Sequence, residues 1–185
     1  MSGGTTPRPA RVIGILGAES TGKTALAQAL ASQLAAATGL RCTWVSEWLR
    51  HWCEAEGRTP RADEQADIAR AQHARIDAAA ATHDLVIADT TALMTAVYSQ
   101  QFFGDDGLDT LAVALHRRCD ATLLTAPDLA WQPDPLRDGP AVRAQVDTRL
   151  RDMLTRHALP WHGVQGLGAA RVGSALAALA PLLAR

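Results

Sequence analysis

The amino-acid sequence predicts an α/β fold of three layers, in which helices cover both faces of a five-stranded and mostly parallel sheet. Two observations lead to this prediction. Five short apolar segments, of the kind that form buried strands, alternate along the 185 residues with longer segments of helical periodicity. A glycine-bearing loop at residues 17–24 joins the first apolar segment to the first helix. We expect residues 11–185 to form a single domain behind a loose tail at residues 1–10.

The individual strands and helices follow from apolar periodicity and from the residues that end each segment. The predicted strands are residues 12–16, 40–45, 84–88, 121–124 and 161–164. The predicted helices are residues 23–37, 48–56, 59–82, 90–101, 108–118, 142–157 and 171–183. Gly39 ends the first helix, Gly57 ends the second, and Pro60 stands in the first turn of the third. The proline-rich residues 126–140 fit neither pattern, and we expect them to form a lid.

The loop after the first strand carries a phosphate-binding motif. Gly17, Gly22, Lys23 and Thr24 fit G-x-x-x-x-G-K-[ST], with the strand before it and the helix after it that this motif requires. Glycines let successive backbone N–H groups point at an anion, and the helix N-terminus adds its positive end. Lys23, the only lysine of the chain, would reach the β- and γ-phosphates. The predicted ATP-binding residues are Gly17, Ala18, Glu19, Ser20, Thr21, Gly22, Lys23, Thr24 and Ala25.

Two carboxylates are expected near this loop. With the phosphate motif, the prediction becomes a P-loop NTPase fold of kinase-like strand order 2-3-1-4-5, in which ligands bind beyond the carboxyl ends of the strands. Asp89 ends the third strand in the pattern of a Walker B element, so Asp89 and the Thr24 hydroxyl are predicted to bind Mg²⁺. Glu47, at the exit of the second strand, competes with Asp89 for the role of general base. Because metal binding suits Asp89 better, Glu47 is the predicted base.

Three further side chains are predicted at the reaction site, each with a plainer alternative. Arg137 in the lid would cover the γ-phosphate, or would only pair with neighbouring aspartates at the surface. Arg50 would position an acceptor that carries several hydroxyls, or would simply pair with Glu47 one helical turn away. Trp48 would stack on an aromatic ring of the acceptor, or would pack in the core. The predicted catalytic residues are Lys23, Glu47, Asp89 and Arg137.

Composition narrows the class of protein. A formal net charge of −1 and a pI near 6.6 lack the basic excess expected of a nucleic-acid or anionic-membrane binder. No segment approaches the roughly 18 consecutive apolar residues of a membrane span, and residues 1–10 lack the apolar core of a secretion signal. Three cysteines without a C-x-x-C pair indicate reduced thiols and a cytoplasmic location. The sequence leaves the oligomeric state open.

The chain resembles the ribosylnicotinamide kinase domain of NadR-type proteins and the related small AAA-type P-loop ATPases. The resemblance runs over residues 12–164 and rests on GAESTGKT (17–24), WVSEWLR (44–50), IARAQ (68–72), Asp89-Thr90 and WQPDPLRD (131–138). It implies ATP-dependent phosphorylation of the 5′-hydroxyl of nicotinamide riboside. It also implies that Glu47 and Arg50 lie near the substrate, Asp89 near the metal, and Arg137 in the lid. The chain departs from the family pattern at Ser46, Thr91 and Pro135.

Two other functions are compatible with the same residues. The chain would be a kinase for another nucleoside or small metabolite, or a nucleotide-operated switch that binds ATP and regulates a partner without phosphorylating a metabolite. The switch predicts that Glu47 and Arg137 are dispensable and that a large apolar patch is exposed. No base-reading motif distinguishes ATP from GTP.

Overall fold

A single sheet of five strands forms the centre of the molecule. The structure is a computed structural model and describes residues 9–133 and 139–184. The strands are β1 (Arg11–Leu16), β2 (Cys42–Val45), β3 (Leu85–Asp89), β4 (Ala121–Thr125) and β5 (His162–Val164). Their order is β2-β3-β1-β4-β5, and each pair of neighbours is parallel. The predicted fold class and strand order are therefore confirmed.

Helices cover both faces of the sheet. They are α1 (Lys23–Thr38), α2 (Trp48–Glu56), α3 (Gln65–Ala80), α4 (Ala92–Phe103), α5 (Asp109–His116), α6 (Pro140–Arg156) and α7 (Gly168–Leu183). Helices α1 and α7 pack on the face that carries Ile13 and Ile15, whereas α3 to α6 pack on the face that carries Leu16. Side chains alternate along a strand, so β1 supplies both cores at once. This double burial explains why the strands read as apolar runs.

The helix predicted to begin at Thr59 and Pro60 begins later than expected. A short 3-10 turn, Ala62–Glu64, precedes α3, whose first residue is Gln65. Both oxygens of the Glu64 carboxylate are bound by Arg58, at 2.7 and 2.8 Å, and Oε2 also accepts the Arg61 backbone N–H at 2.8 Å. This capping box places the helical start after Pro60, so the proline lies outside the helix.

The remaining element limits agree with the prediction to within a few residues. Residues 126–133 of the predicted lid are irregular, residues 134–138 lie outside the described residues, and α6 begins at Pro140. Residues 1–8 of the predicted tail also lie outside the described residues. In the two ranges that the structure describes, no helix is long and apolar enough to cross a membrane.

Candidate functional site

The loop between β1 and α1 presents backbone N–H groups at the carboxyl end of the sheet. Gly17 and Gly22 have positive φ angles of 152° and 74°, and Ser20 is left-handed at φ 54°. Gly22 is the N-cap residue of α1, so no side chain satisfies the first N–H groups of that helix from this position. The first turn of α1 also carries no acidic residue that would neutralise its positive end. The loop is therefore built to receive an anion.

Strand β4 holds this loop in shape. The Thr125 hydroxyl oxygen is fully buried and lies within hydrogen-bond distance of two oxygens, the Leu16 carbonyl at 3.0 Å and the Thr21 hydroxyl at 2.7 Å. Thr21 in turn donates to the Ala18 carbonyl at 2.8 Å. A Cβ atom on Gly17 would lie 2.0 Å from Thr125 Oγ1, so only glycine fits at this contact. The two threonines explain why the loop starts with glycine.

Lys23 lies over the loop and is only 9% exposed. Its ammonium donates to the Ala18 carbonyl at 2.9 Å, which holds the charge above the row of backbone N–H groups. A compact ammonium fits this enclosed position better than the planar fork of an arginine.

Thr24 and Asp89 lie side by side across the gap between α1 and β3. The Thr24 hydroxyl donates to Asp89 Oδ2 at 2.5 Å, while the buried Oδ1 accepts no hydrogen bond from any described residue. Burial raises the pKa of Asp89, and the positive charge of Lys23 and the hydrogen bond from Thr24 oppose the shift. The described residues contain no group of three or more histidine, cysteine or acidic side chains that would enclose a metal. One hydroxyl and one available carboxylate oxygen instead fit Mg²⁺, which keeps waters and takes phosphate oxygens as further ligands.

A cavity of about 680 Å³ opens from the phosphate loop. Most of the predicted site lies along it: the loop residues from Glu19 to Ala25, together with Glu47 and Arg50 of the predicted acceptor side. The other lining residues belong to α2, to the segment before α3, and to the second half of α4. They are Leu49, Cys53, Thr59, Pro60, Arg61, Gln65, Tyr98, Phe102 and Phe103.

Charged side chains in and next to this cavity shift the pKa of the Tyr98 hydroxyl. Burial raises the pKa of the Tyr98 hydroxyl well above its usual value of 10, and the carboxylates of Glu47, Glu19 and Asp89 raise it further, with Arg50 opposing them. Arg50 also lowers the pKa of Asp89. The predicted base and the predicted metal ligand therefore act on the same small region, between the phosphate loop and α4.

Trp48 does not line this cavity. Its indole packs beneath the Arg75 guanidinium, at 5.1 Å from the ring centroid, and lies near the His51 ring. Its backbone N–H donates to Gln72 Oε1 at 2.6 Å, and Gln72 Nε2 donates to the Thr90 carbonyl at 3.3 Å. The stacking role of Trp48 stays a prediction that this placement does not favour.

Gln72 instead links the predicted acceptor side to the predicted metal side. It is 2% exposed and joins the first turn of α2, directly after Glu47, to the residue that follows Asp89. Thr90 has a positive φ of 69°, which is rare for a β-branched residue. One buried amide thus supports a strained backbone and joins the residues that follow the two predicted site carboxylates, Glu47 and Asp89.

The aromatic wall of the cavity was missed by sequence reasoning. Tyr98 and Phe102 stack with their ring centroids 6.2 Å apart, and Phe103 follows. The chain has one tyrosine and two phenylalanines, and all three line the cavity. Their concentration within six residues of one helix was the available signal. An i, i+4 aromatic pair is also ordinary core packing, however, so the pattern alone does not identify a binding wall.

Two buried arginines, also missed, hold the start of the predicted lid. Arg171 of α7 donates to the Thr21 carbonyl at 3.0 Å and pairs with Asp128, and Arg143 of α6 donates to the Leu129 carbonyl at 2.9 Å. Both side chains are more than nine-tenths buried. Arg171 thus ties Asp128 to the phosphate loop, and Arg143 ties Leu129 to α6. Arg137, the predicted lid arginine, lies outside the described residues.

Sequence comparison identifies a domain family. Residues 12–171 match the family described as an AAA domain. No curated protein matches the chain in sequence. The match covers the phosphate loop, both carboxylates and the aromatic wall.

Solved structures with the same fold include NadR and two kinases. NadR in complex with NAD and AMP-PNP superposes with a TM-score of 0.71 at 19% identity, over 92% of this chain and 48% of that chain. NadR in complex with NR gives 0.73 at 19% identity, over 92% and 50%. Thymidylate kinase from Ehrlichia chaffeensis gives 0.63 at 15% identity, over 95% and 100%. Deoxyadenosine kinase from M. mycoides gives 0.61 at 12% identity, over 92% and 99%. The chain spans about half the length of the NadR chains that it matches.

Proposed function

The chain belongs to the AAA domain family, and we propose that it is an ATP-dependent kinase that phosphorylates a hydroxyl of a nucleoside, with nicotinamide riboside as the favoured acceptor. One observation carries this proposal. The phosphate loop with Thr24, Glu47 and an aromatic wall all line a single cavity, which is large enough for a donor tail and an acceptor together, and Thr24 is hydrogen-bonded to Asp89. A cavity of this kind brings two substrates into line, as phosphoryl transfer requires.

In this proposal the phosphate loop and Lys23 bind the donor. The N–H groups around Gly17 to Thr24 receive the phosphate oxygens, and the Lys23 ammonium turns from the Ala18 carbonyl to the β- and γ-phosphates. The NadR complex with NAD and AMP-PNP supports an adenine nucleotide as the donor, because this chain superposes on about half of that protein.

Thr24 and Asp89 would hold Mg²⁺ in this proposal. The Thr24 hydroxyl and the Asp89 Oδ1 atom, to which no described residue donates, supply two oxygen ligands. When bound, the ion neutralises charge on the phosphates during transfer. Asp89 must be ionised for this role. Burial raises its pKa, and the adjacent Lys23 charge acts against that rise.

Glu47 is the proposed general base, and Arg50 the proposed orienting residue. Glu47 is the N-cap residue of α2 at the exit of β2, and it adjoins the same cavity as the phosphate loop. It would accept the proton of the attacking hydroxyl while Arg50, one turn later, contacts the acceptor's other hydroxyls. Arg50 also interacts with Asp89, so it would link the acceptor to the donor side.

The charges of the cavity favour a nucleoside over a nucleotide as acceptor. The carboxylates of Glu47, Glu19 and Asp89 raise the pKa of the Tyr98 hydroxyl, with Arg50 opposing them. The guanidinium of Arg61, which also lines the cavity, pairs with Glu64 at 2.9 Å. The carboxylates that act on Tyr98, together with its stacking on Phe102, suit a cationic heterocycle such as that of nicotinamide riboside. The NadR complex with NR supports the same acceptor.

The test is a panel of acceptors with Mg·ATP. We expect the purified chain to convert nicotinamide riboside to its monophosphate, detected by mass, with stoichiometric release of ADP. Phosphorylation of another nucleoside alone would reassign the acceptor, and phosphorylation of nucleoside monophosphates alone would contradict the charge argument. Release of ADP without any phosphorylated acceptor would instead support the nucleotide-operated switch.

A further inference from the structure

Gln65 presents an unused hydrogen-bonding atom to the cavity. It is the first residue of α3, is only 4% exposed, and lines the 680 Å³ cavity. Its Oε1 atom is buried, and none of the described residues donates a hydrogen bond to it. A buried amide without its partner costs stability, so such groups in native structures call for an explanation.

The same helix offers a direct comparison. Gln72 stands two turns after Gln65 and is similarly buried, and both of its amide atoms are bonded, to Trp48 and Thr90. Gln72 is therefore a structural cross-link. The Gln65 oxygen accepts no such hydrogen bond from the described residues, and Gln65 lines the cavity instead.

The packing of α3 against α4 places Gln65 at the aromatic end of the cavity. A second, smaller cavity of about 280 Å³ is lined by His73 and Ile76 of α3 together with Thr91 and Ala92 around the start of α4. In the large cavity, the beginning of α3 instead meets the second half of α4, with Tyr98 and Phe102. The two helices therefore run in opposite directions, and Gln65 and the aromatic pair lie toward the same end of the α3–α4 pair.

We propose that Gln65 is a specificity-determining residue that hydrogen-bonds to a neutral polar substituent on the acceptor's heterocycle. This inference rests on the proposed kinase function. A side-chain amide has one acceptor and one donor end, so it pairs well with another amide such as a ring carboxamide. A substituent that cannot form hydrogen bonds would leave the buried amide unsatisfied and would be rejected.

The decisive variant is Gln65→Met, which keeps the length of the side chain and removes its hydrogen bonds. We expect the KM for nicotinamide riboside to rise about tenfold, the loss of roughly one hydrogen bond, with the KM for ATP unchanged. We also expect the Tm to stay level or to rise, because an unsatisfied buried group is replaced by an apolar one. Gln101→Met is the matched control: Gln101 bonds to Gln145 and Arg149 outside the cavity, so neither KM should change.

An analogue of nicotinamide riboside without the carboxamide locates the contact. If Gln65 binds this substituent, the wild-type protein loses affinity for the analogue and Gln65→Met makes it no worse, so the two losses do not add. Additive losses, an unchanged KM in Gln65→Met, or a lowered Tm with an unchanged KM would each overturn the proposal. A wild-type protein that phosphorylates no nucleoside would show that the kinase function itself is wrong, before any variant is compared.

Discussion

At the level of single residues, the two carboxylates near the phosphate loop occupy different environments. Asp89 is buried at the end of a central strand and shares a hydrogen bond with Thr24. Glu47 stands at the N-terminus of α2 on the wall of the cavity. A metal ligand belongs beside the phosphate loop, whereas a base needs access to the acceptor. The division of roles proposed from the sequence therefore has a structural basis that mutation can test.

The first prediction concerns Glu47→Gln. The amide keeps the size of the side chain and cannot accept the hydroxyl proton, so kcat should fall by roughly 10²- to 10⁴-fold while the Kd for Mg·ATP stays within about twofold. Calorimetric titration and steady-state kinetics measure the two quantities. Glu56→Gln, at the other end of α2, is the control and should keep its kcat. Wild-type turnover in Glu47→Gln would reject its assignment as the base.

A second prediction concerns the Gln72 cross-link. Gln72→Leu leaves the Trp48 N–H and the Thr90 carbonyl without their buried partner, so the free energy of unfolding should fall by about 2–4 kcal/mol. Gln72→Glu keeps an acceptor for the Trp48 N–H and loses the donor to the Thr90 carbonyl. Its free energy of unfolding should therefore lie between those of Gln72→Leu and the wild type. Urea unfolding measures all three. Equal stability of Gln72→Leu and the wild type would mean that the cross-link contributes nothing.

At the level of elements, the unit formed by β1, the loop and α1 depends on contacts from β4, which is distant in the sequence and pairs with β1 in the sheet. Thr125 of β4 fills the space that a side chain on Gly17 would need. The sequence motif specifies glycine at this position, but only the neighbouring strand shows the reason. The packing of β4 therefore requires the glycine of the motif, in addition to any requirement of phosphate binding.

The third prediction is that Gly17→Ala abolishes nucleotide binding. The new methyl carbon would lie 2.0 Å from Thr125 Oγ1 and 2.9 Å from Thr21 Oγ1, at a backbone φ of 152° that L-residues rarely adopt. The loop must move, and we expect the Kd for Mg·ATP to rise at least about 100-fold. Gly39→Ala is the control, because it has φ 70° at the end of α1 and nothing within 4 Å of its Cβ. Similar ATP affinities in both variants would contradict the packing described for the loop.

Sequence alone predicted most elements because their signals are local. Apolar strands bounded by glycine or aspartate, and helices ended by Gly39 and Gly57, were found within a few residues of their limits. The start of α3 was misplaced because Glu64 is bound by Arg58, six residues earlier, and a Thr-Pro pair is a weaker signal than that contact. Local sequence patterns show which segments are apolar, whereas a side-chain contact such as that between Arg58 and Glu64 determines where the helix begins.

At the level of the whole molecule, the site could be predicted only in part. The phosphate loop and Asp89 follow from a motif, and the strand order brings them together. The aromatic wall and the buried arginines of α6 and α7 do not follow from it, because they depend on how distant helices pack around the cavity. The placement of the aromatic wall is thus a property of the tertiary structure.

One further contact joins the residue before α4 to strand β4 across β1. His116 is 3% exposed, and its two ring nitrogens lie 2.9 Å from the hydroxyls of Thr91, which precedes α4, and of Thr122 on β4. The ring passes over Gly14 of β1, where a Cβ atom would come within 3.5 Å of it. Burial lowers the pKa of His116 from 6.5 to about 4, so the bridge is neutral near physiological pH.

This bridge predicts an acid-sensitive fold. Between pH 6.5 and pH 4 the unfolded chain binds a proton at His116 that the folded chain excludes, so stability falls as the pH falls. From about pH 7.5 to about pH 5 this residue alone should lower the free energy of unfolding by about 2 kcal/mol. His116→Gln keeps a donor and an acceptor between the threonines but does not titrate, so its stability should decline less over the same interval, whatever its value at pH 7.5. Urea unfolding at both pH values compares the two proteins. Because the other five histidines are present in both, equal declines would mean that His116 does not remain neutral in the folded state.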